Sequence, residues 1–398
     1  MGPVMRWQAS DGTVTCWLDG RITSNNAEDV EGAIRNAVAE SSAKRIVLDA
    51  HDLAYISSAG LRVIIRLLKS YGDVMVANAS SEVYDVFHTT GMTELVEVRR
   101  ALRSVDVSHM KQIGAGACGR VYRMDAERVV KVYNSATFTP ERVERERQVA
   151  RQVFIHGIPS AIPFETVRVG EERGIVYELV NARNIGEVVS AEPDACAAWA
   201  RRMAELARQL HVTEFEEGLL PDARNLYYNW VDRIEGTGAY AHASIAALRE
   251  FVGSIPAAHT FVHGDFHPAN VMVMPDGELL IIDMGDASVG HPGMDMAGSY
   301  HVMRVAARRQ DGARRFCSMS SELLNEFWNV FVRAYYGVRD DADVEELERS
   351  LALVAMPRSM GTNLFTKFIG EEERARVASE LERRFLAGRD SVRWDLLG

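Results

Sequence analysis

The 398-residue sequence predicts an α/β unit of roughly 100 residues followed by a larger α+β unit. Three observations lead there. Up to residue 105, short β-rich runs alternate with helix-like stretches. From 106 onward, a glycine-rich pair of strand-like segments comes first and long amphipathic helices come last. Between them stands FVHGDFHPANVMVMPDGELLIIDMGD, residues 261–286, which sets an apolar hairpin between polar motif residues.

The elements of the first unit read in order. Residues 13–19 (TVTCWLD) alternate as a strand does. Residues 26–40 read as a helix and 45–48 as a strand. In DLAYISSAGLRVIIRLLKSYG the chain turns from a strand end into an apolar helix expected to start at Ala59, with Ser58 as its N-cap. A strand at 74–78 and a short helix at 81–88 follow, and residues 95–98 end the unit. Residues 100–110 (RALRSVDVSHM) read as a short linker.

The second unit opens with IGAGACGRVY, residues 113–122. Gly114, Gly116 and Gly119 form G-x-G-x-x-G, followed by Val121. A dinucleotide fold would need these glycines to open a helix. Here they lead into strand-like 120–124, a turn at 125–127, and then RVVKVY. Val130 and Val132 flank Lys131, so the lysine points to the opposite face of its strand, where it can pair with phosphates. Such a lysine needs a carboxylate partner. In the helix PERVERERQVARQVF (140–154), Glu146 shares the inward face of Val149 and Ala150, with Glu144 as its competitor. Residues 161–180 give strands broken at 170–174. Residues 192–211 give an amphipathic helix, and further helices are expected at 297–309, 318–336, 342–356 and 371–386.

The chemistry lies in the central stretch. Asp265 and Asn270 are five residues apart, and Asp283 follows 13 later across the hairpin. That spacing suits phosphoryl transfer from ATP. Asp265 receives the proton of an attacking hydroxyl, while Asn270 and Asp283 supply oxygen ligands for the Mg2+ of the nucleotide.

On these residues, 107–390 resembles the aminoglycoside phosphotransferase and choline kinase branch of the two-lobed protein-kinase-like fold. HGDFHPAN matches that branch's catalytic loop, and IDMGDASVGHPGMDMA matches its metal motif, with Met284 in place of the usual Phe or Trp. The resemblance implies Asp265 as base, Asn270 and Asp283 as metal ligands, and Lys131 on the α and β phosphates, paired with Glu146. It makes IVYELVN the hinge, with backbone groups of Glu178 and Val180 on the adenine and Tyr177 at its back wall. Asp295 would brace the loop. The expected organisation is a first domain at 1–105, a small lobe at 106–180 and a helical lobe at 181–398.

The first unit resembles the STAS domain of anti-sigma-factor antagonists. The signature is Tyr55-Ile56-Ser57-Ser58-Ala59-Gly60-Leu61 after RIVLDA. Ser58 falls where that family carries its regulatory phosphoserine, and Ser57 stands where the family more often has Asp. A phosphate there would add nearly two negative charges to a partner-binding surface. The resemblance implies an anti-sigma factor or another STAS-binding partner.

Composition sets the remaining bounds. Net charge is −11, and residues 1–105 hold 11 basic and 13 acidic side chains, which argues against nucleic-acid binding. No apolar run approaches ~18 residues, and the N-terminal MGPVMRWQASDG lacks a signal-peptide core, so a cytoplasmic protein without membrane insertion is expected. Cysteines 16, 118, 196 and 317 are scattered without metal or disulfide spacing. Acidic runs at 340–348 and 371–373 would either grip a cationic substrate or lie as solvated helix faces. The first reading is a phosphotransferase regulated or localised by its STAS-like unit. Its acceptor is left open among an aminoglycoside, another small alcohol or amine, and a protein serine. The second is a partner-switching protein whose nucleotide binding changes which partner it holds. The full set of Lys131, Asp265, Asn270 and Asp283 favours the first.

Overall fold

A computed structural model describes residues 5–116, 118–308, 311–365 and 370–398. Ala117 of the glycine loop and Arg309, at the end of an expected helix, lie outside the described residues, as do the first four residues. The chain forms two compact units, Met1–Val105 and Asp106–Gly398.

The first unit is a five-stranded sheet in the order β1 (Trp7–Ser10), β2 (Thr13–Ile22), β3 (Arg45–Ile56), β4 (Asp73–Ala79), β5 (Glu97–Arg100). β1 pairs antiparallel with β2, and the other pairings are parallel. Parallel strands need crossover helices. α1 (Ala27–Ser41), α2 (Ser58–Tyr71) and α3 (Ser81–Thr89) supply them. Ile46, Leu48, Leu67, Val76 and Phe87 are fully buried in the resulting core. One expectation is corrected here. α2 begins at Ser58, not Ala59, and its N-cap is Ser57, whose hydroxyl accepts the Gly60 N–H at 3.4 Å. Ser58 is thus the exposed first residue of the helix.

The second unit starts with a sheet in the order β6 (Lys111–Ala115), β7 (Gly119–Arg123), β8 (Arg128–Tyr133), β10 (Glu172–Glu178), β9 (Pro163–Val169). Gly119 is required by the close approach of β7 to β8, because a Cβ there would stand 2.0 Å from the Val132 carbonyl oxygen. α4 (Pro140–Ile155) follows β8. Its N-cap Thr139 accepts the Arg142 N–H, and Pro140 opens the first turn, where a missing N–H costs nothing. The helix buries Val143, Glu146, Val149, Ala150 and Val153, a single stripe at three- and four-residue steps. A carboxylate on that stripe needs a buried partner.

A larger helical part follows. The short β11 (Arg183–Asn184) leads into α5 (Ile185–Ala191), α6 (Cys196–His211), α7 (Ala223–Glu235) and α8 (His242–Ser254). Next come β12 (Phe261–Val262) and the hairpin β13 (Val271–Val273) and β14 (Leu279–Ile281), which joins β11 in one sheet. β15 (Ser288–Val289) pairs with β12. The tail is helical: α9 (Pro292–Tyr300), α10 (Gly312–Cys317), α11 (Ser321–Tyr336), α12 (Asp341–Val354), α13 (Met356–Phe365), α14 (Glu371–Gly388) and α15 (Trp394–Leu397).

Two helix expectations differ. The one at 297–309 is instead the end of α9, a π turn over His301–Val305 and a short 3-10 turn. The one at 342–356 divides, because Pro357 has no N–H to continue a helical ladder and α13 starts anew beside it. Among the described residues, no helix is long and apolar enough to cross a membrane.

Candidate functional site

The site grows from β8. Val130 and Val132 are fully buried on one face of the strand. Lys131 faces the other way, its side chain 14% exposed. Its ammonium lies 2.9 Å from Glu146 Oε1 and 2.8 Å from Asp283 Oδ1. Glu146 Oε1 also accepts the Tyr133 hydroxyl at 2.6 Å. Burial opposes the charge on Lys131, but Asp283 and Glu146 outweigh it and hold its pKa well above the ordinary value. Lys131 in turn holds the Asp283 carboxyl below its ordinary value. Glu144, the alternative, points elsewhere, to Arg147 at 3.1 Å and Thr166 at 2.6 Å.

Asp283 reaches Lys131 from a backbone with φ of 66°, a left-handed conformation unusual for a residue with a Cβ. Such strain persists where the surroundings fix it. Here the ammonium does so on one side. On the other, the neighbouring Ile282 carbonyl accepts from His263 Nε2 at 3.0 Å. His263 Nδ1 accepts the Asp265 N–H at 3.3 Å, so the ring is the Nε2–H tautomer. That single imidazole ties the loop of Asp265 to the strand end of Asp283.

The loop is hung from α9. Asp295, 1% exposed, accepts the N–H groups of His263 and Gly264, each at 2.9 Å. His211 Nε2 of α6 lies 3.1 Å from the same carboxylate, and its Nδ1 lies 2.6 Å from the Tyr335 hydroxyl of α11. One turn beyond Asp295, Ser299 donates to the Phe266 carbonyl at 2.6 Å. Burial pushes the Asp295 carboxyl up, and His211 with the backbone donors outweighs it, so its pKa is lowered. Gly264 has φ of 81°, and a Cβ on it would meet the Asp286 carbonyl at 2.6 Å. No larger residue fits that bend.

Asp265 itself is held at both oxygens. Arg358 Nη2 donates to Oδ1 at 2.6 Å. His267 Nε2 lies 3.4 Å from Oδ2, and Asn270 Nδ2 donates to Oδ2 at 3.3 Å and to the Asp265 carbonyl at 2.9 Å. Burial raises the carboxyl, but Arg358 and His267 prevail and hold it well below the usual range. Asp286, nearby, is pushed up to about 6 by burial and by the charge of Asp265.

Oxygen donors for a cation are present. The Asn270 amide nitrogen is engaged with Asp265, which leaves its Oδ1. Asp283 gives Oδ1 to Lys131, which leaves Oδ2. Among the described residues, no group of three or more His, Cys, Asp or Glu stands ready to hold a metal. Two hard oxygens fit a magnesium ion that takes its other ligands from phosphates and water. In the segment expected to form the hinge, Glu178 N–H donates to the Ile162 carbonyl and the Val180 carbonyl accepts from Ala182, each at 3.0 Å. The Glu178 carbonyl and the Val180 N–H take part in neither of these two bonds. Gly114, Gly116 and Gly119 lie on or between β6 and β7. Cys118, beside them, has its thiol pushed up to about 11 by burial and by Asp283, so it stays protonated near neutrality.

Sequence reasoning missed Arg358, His211 and His267. No local pattern marks Arg358. Three of the six acidic residues in the run at 340–348 are paired within the fold. Asp341 pairs with Arg333, Glu346 with Arg393, and Glu348 with Arg304 and the Trp328 indole.

The family model for the phosphotransferase enzyme family matches residues 109–321, and that for the STAS domain matches residues 5–105. A putative anti-sigma factor antagonist, BtrV, from Bordetella bronchiseptica is 34% identical over 92 residues, covering 22% of this chain and 78% of the relative. Among solved structures, ADP-bound aminoglycoside phosphotransferase APH(2'')-Ib is 16% identical. It covers 76% of this chain and 97% of its own, with a TM-score of 0.48. A thermostable mutant of aminoglycoside phosphotransferase APH(4)-Ia, in complex with ADP and hygromycin B, is 15% identical. It covers 71% and 94%, with a TM-score of 0.46.

Replacing Asp295 by Ala leaves two buried N–H groups and His211 without their acceptor. The expected cost is on the order of 3–5 kcal/mol, read by chemical unfolding, with faster amide exchange at His263 and Gly264. A loss below about 1 kcal/mol would show that the loop is held by something else.

Proposed function

The chain belongs to the phosphotransferase enzyme family and carries an N-terminal STAS domain, and from that premise we propose that it transfers the γ-phosphoryl group of ATP to an alcohol acceptor. The observation that carries this reading is the Lys131 ammonium held between Glu146 and Asp283, at 2.9 and 2.8 Å. A strand lysine fixed by a helix carboxylate and facing an acidic loop is the arrangement that phosphoryl transfer uses to seat phosphates.

The roles follow from the free valences. Lys131 binds the α and β phosphates, and the glycine loop covers them. Asn270 Oδ1 and Asp283 would hold magnesium, which would supply neutralisation of phosphate charge. The Glu178 carbonyl and Val180 N–H meet the donor and acceptor of an adenine edge, with Tyr177 behind it. Asp265 is the base. Its Oδ1 is occupied by Arg358 at 2.6 Å, so the more loosely held Oδ2 receives the proton. The acceptor oxygen bonds to the γ-phosphorus as its proton passes to Asp265. The bond from that phosphorus to the bridging oxygen breaks, and the electron pair leaves with ADP. A base kept ionised by Arg358 and His267 is ready for that proton but weakly basic. Much of its contribution is therefore orientation of the hydroxyl.

The N-terminal unit serves as a partner-binding and regulatory module, with Ser58 its site of phosphorylation. Ser58 is exposed, while the capping duty falls on Ser57, so Ser58 is not needed to close the helix. A phosphate on the first residue of α2 sits at the positive end of the helix and is tolerated there.

Asp265→Asn is expected to lower transfer by about two to four orders of magnitude with Mg-ATP affinity kept. Lys131→Ala and Asp283→Ala are each expected to weaken Mg-ATP binding in calorimetry. Near-normal transfer by the first variant removes Asp265 as base, and unchanged binding by both others removes the nucleotide cleft. For the N-terminal unit, mass spectrometry after incubation with Mg-ATP, alone and with cell extract, is expected to find phosphate at Ser58 that is absent from Ser58→Ala. Its absence under both conditions ends the regulatory reading.

A further inference from the structure

Arg358 reaches the loop of Asp265 from the far end of the chain. It lies on α13, and its guanidinium makes two bonds there: Nη2 to Asp265 Oδ1 at 2.6 Å and Nη1 to the Gly264 carbonyl at 3.0 Å. The fork thus grips two consecutive residues, one by side chain and one by backbone. The side chain is 17% exposed.

The platform under it is fixed. His301 Nδ1 lies 2.8 Å from Ser359 Oγ, and its Nε2 lies 3.3 Å from Thr362 Oγ1, one and four residues beyond Arg358. Gly361 packs so closely on Trp230 that a Cβ would stand 2.3 Å from the ring. His301 opens the π turn that continues α9. One stretch of chain therefore holds the loop twice: α9 directly through Asp295 and Ser299, and its continuation indirectly through α13 and Arg358.

We propose that Arg358 is a positioning residue for phosphotransfer, fixing the orientation of the Asp265 carboxylate so that Oδ2 is presented to the acceptor hydroxyl. The proposal rests on the reading of Asp265 as the base. Two arguments carry it. A buried ion pair is a poor device for stability alone, since an apolar pair of similar size often does as well. And bridging a carboxylate oxygen and the preceding backbone carbonyl needs a rigid planar fork, which lysine lacks. What the pair supplies is direction. Oδ1 is fixed, so the rotation of the carboxylate is fixed, and Oδ2 is left with the longer contacts to His267 and Asn270.

The test uses the full chain, with phosphate release from Mg-ATP to water as the turnover assay and calorimetry for nucleotide binding. Arg358→Met is expected to fold, to bind Mg-ATP within about twofold of the parent, and to lose turnover on the order of 100-fold. Methylguanidinium added to the buffer is expected to restore part of the loss, because it refills the fork. Arg358→Lys is expected to fall between the two and carries the test if the Met variant does not fold. Unimpaired turnover in the variant that folds overturns the proposal. So does a turnover loss matched by loss of nucleotide binding, or one that methylguanidinium leaves untouched. Asp265→Asn, run alongside, separates the two levels. If it releases phosphate normally, the base assignment fails and Arg358's role falls with it. If it is inactive while the Arg358 variants are not, only the role of Arg358 is lost.

Discussion

One positive charge, the ammonium of Lys131, stands between two carboxylates from separate parts of the chain, 15 and 152 residues further on. Glu146 comes on the inward stripe of α4, 4% exposed at its side chain, and Asp283 comes on a left-handed bend after β14. Neither placement is favourable by itself. A carboxylate on a buried helix stripe is costly without a partner, and a residue with a Cβ pays for a positive φ. The ammonium offsets both. It also fixes the distance between the small sheet and the hairpin region, because two hydrogen bonds shorter than 3 Å leave little room for slip.

From that pair outward, the site is a series of buried polar groups, each satisfied by the next. Asp283 is followed back to Ile282, whose carbonyl takes the His263 imidazole. His263 takes the Asp265 N–H, and Asp295 takes the N–H groups of His263 and Gly264. In an interior of low dielectric such a network is strong when complete and costly when broken at any member. The helices behind it serve that network. α6 brings His211 to Asp295, α11 brings Tyr335 to His211, and α13 brings Arg358 to Asp265. The size of the helical part has a local reason, since a loop with few bonds of its own is held by residues from several elements.

The parts of this arrangement that follow local rules were legible in the sequence. Lys131 faces away from Val130 and Val132 because strands alternate. Glu146 faces inward because Val149 and Ala150 lie three and four residues on. The motif spacing of Asp265, Asn270 and Asp283 marked the loop and hairpin. Other parts were not legible. Arg358 sits in AMPRSMG, where nothing suggests a partner, and its contact with Asp265 spans 93 residues. The π turn at 301–305 carries the same apolar spacing as the α-helix expected there. Periodicity does not distinguish the two. The start of α2 was displaced by one residue because Ser57 and Ser58 are chemically equal as caps, and only the Gly60 N–H, bonded to Ser57, decides between them. α7 was readable but unread: Tyr227, Val231 and Ile234, all buried, have helical spacing.

The central claim is that the cleft around Lys131 is a magnesium-nucleotide site facing Asp265. A crystal structure with magnesium and a non-hydrolysable ATP analogue tests it most directly. The expected result has the cation between Asn270 Oδ1 and the Asp283 carboxylate, Lys131 on the α and β phosphates, and the terminal phosphate turned toward Asp265 Oδ2. A nucleotide bound elsewhere, or one seated in the cleft with its phosphates pointing away from Asp265 while Lys131 still touches only Glu146 and Asp283, would contradict it.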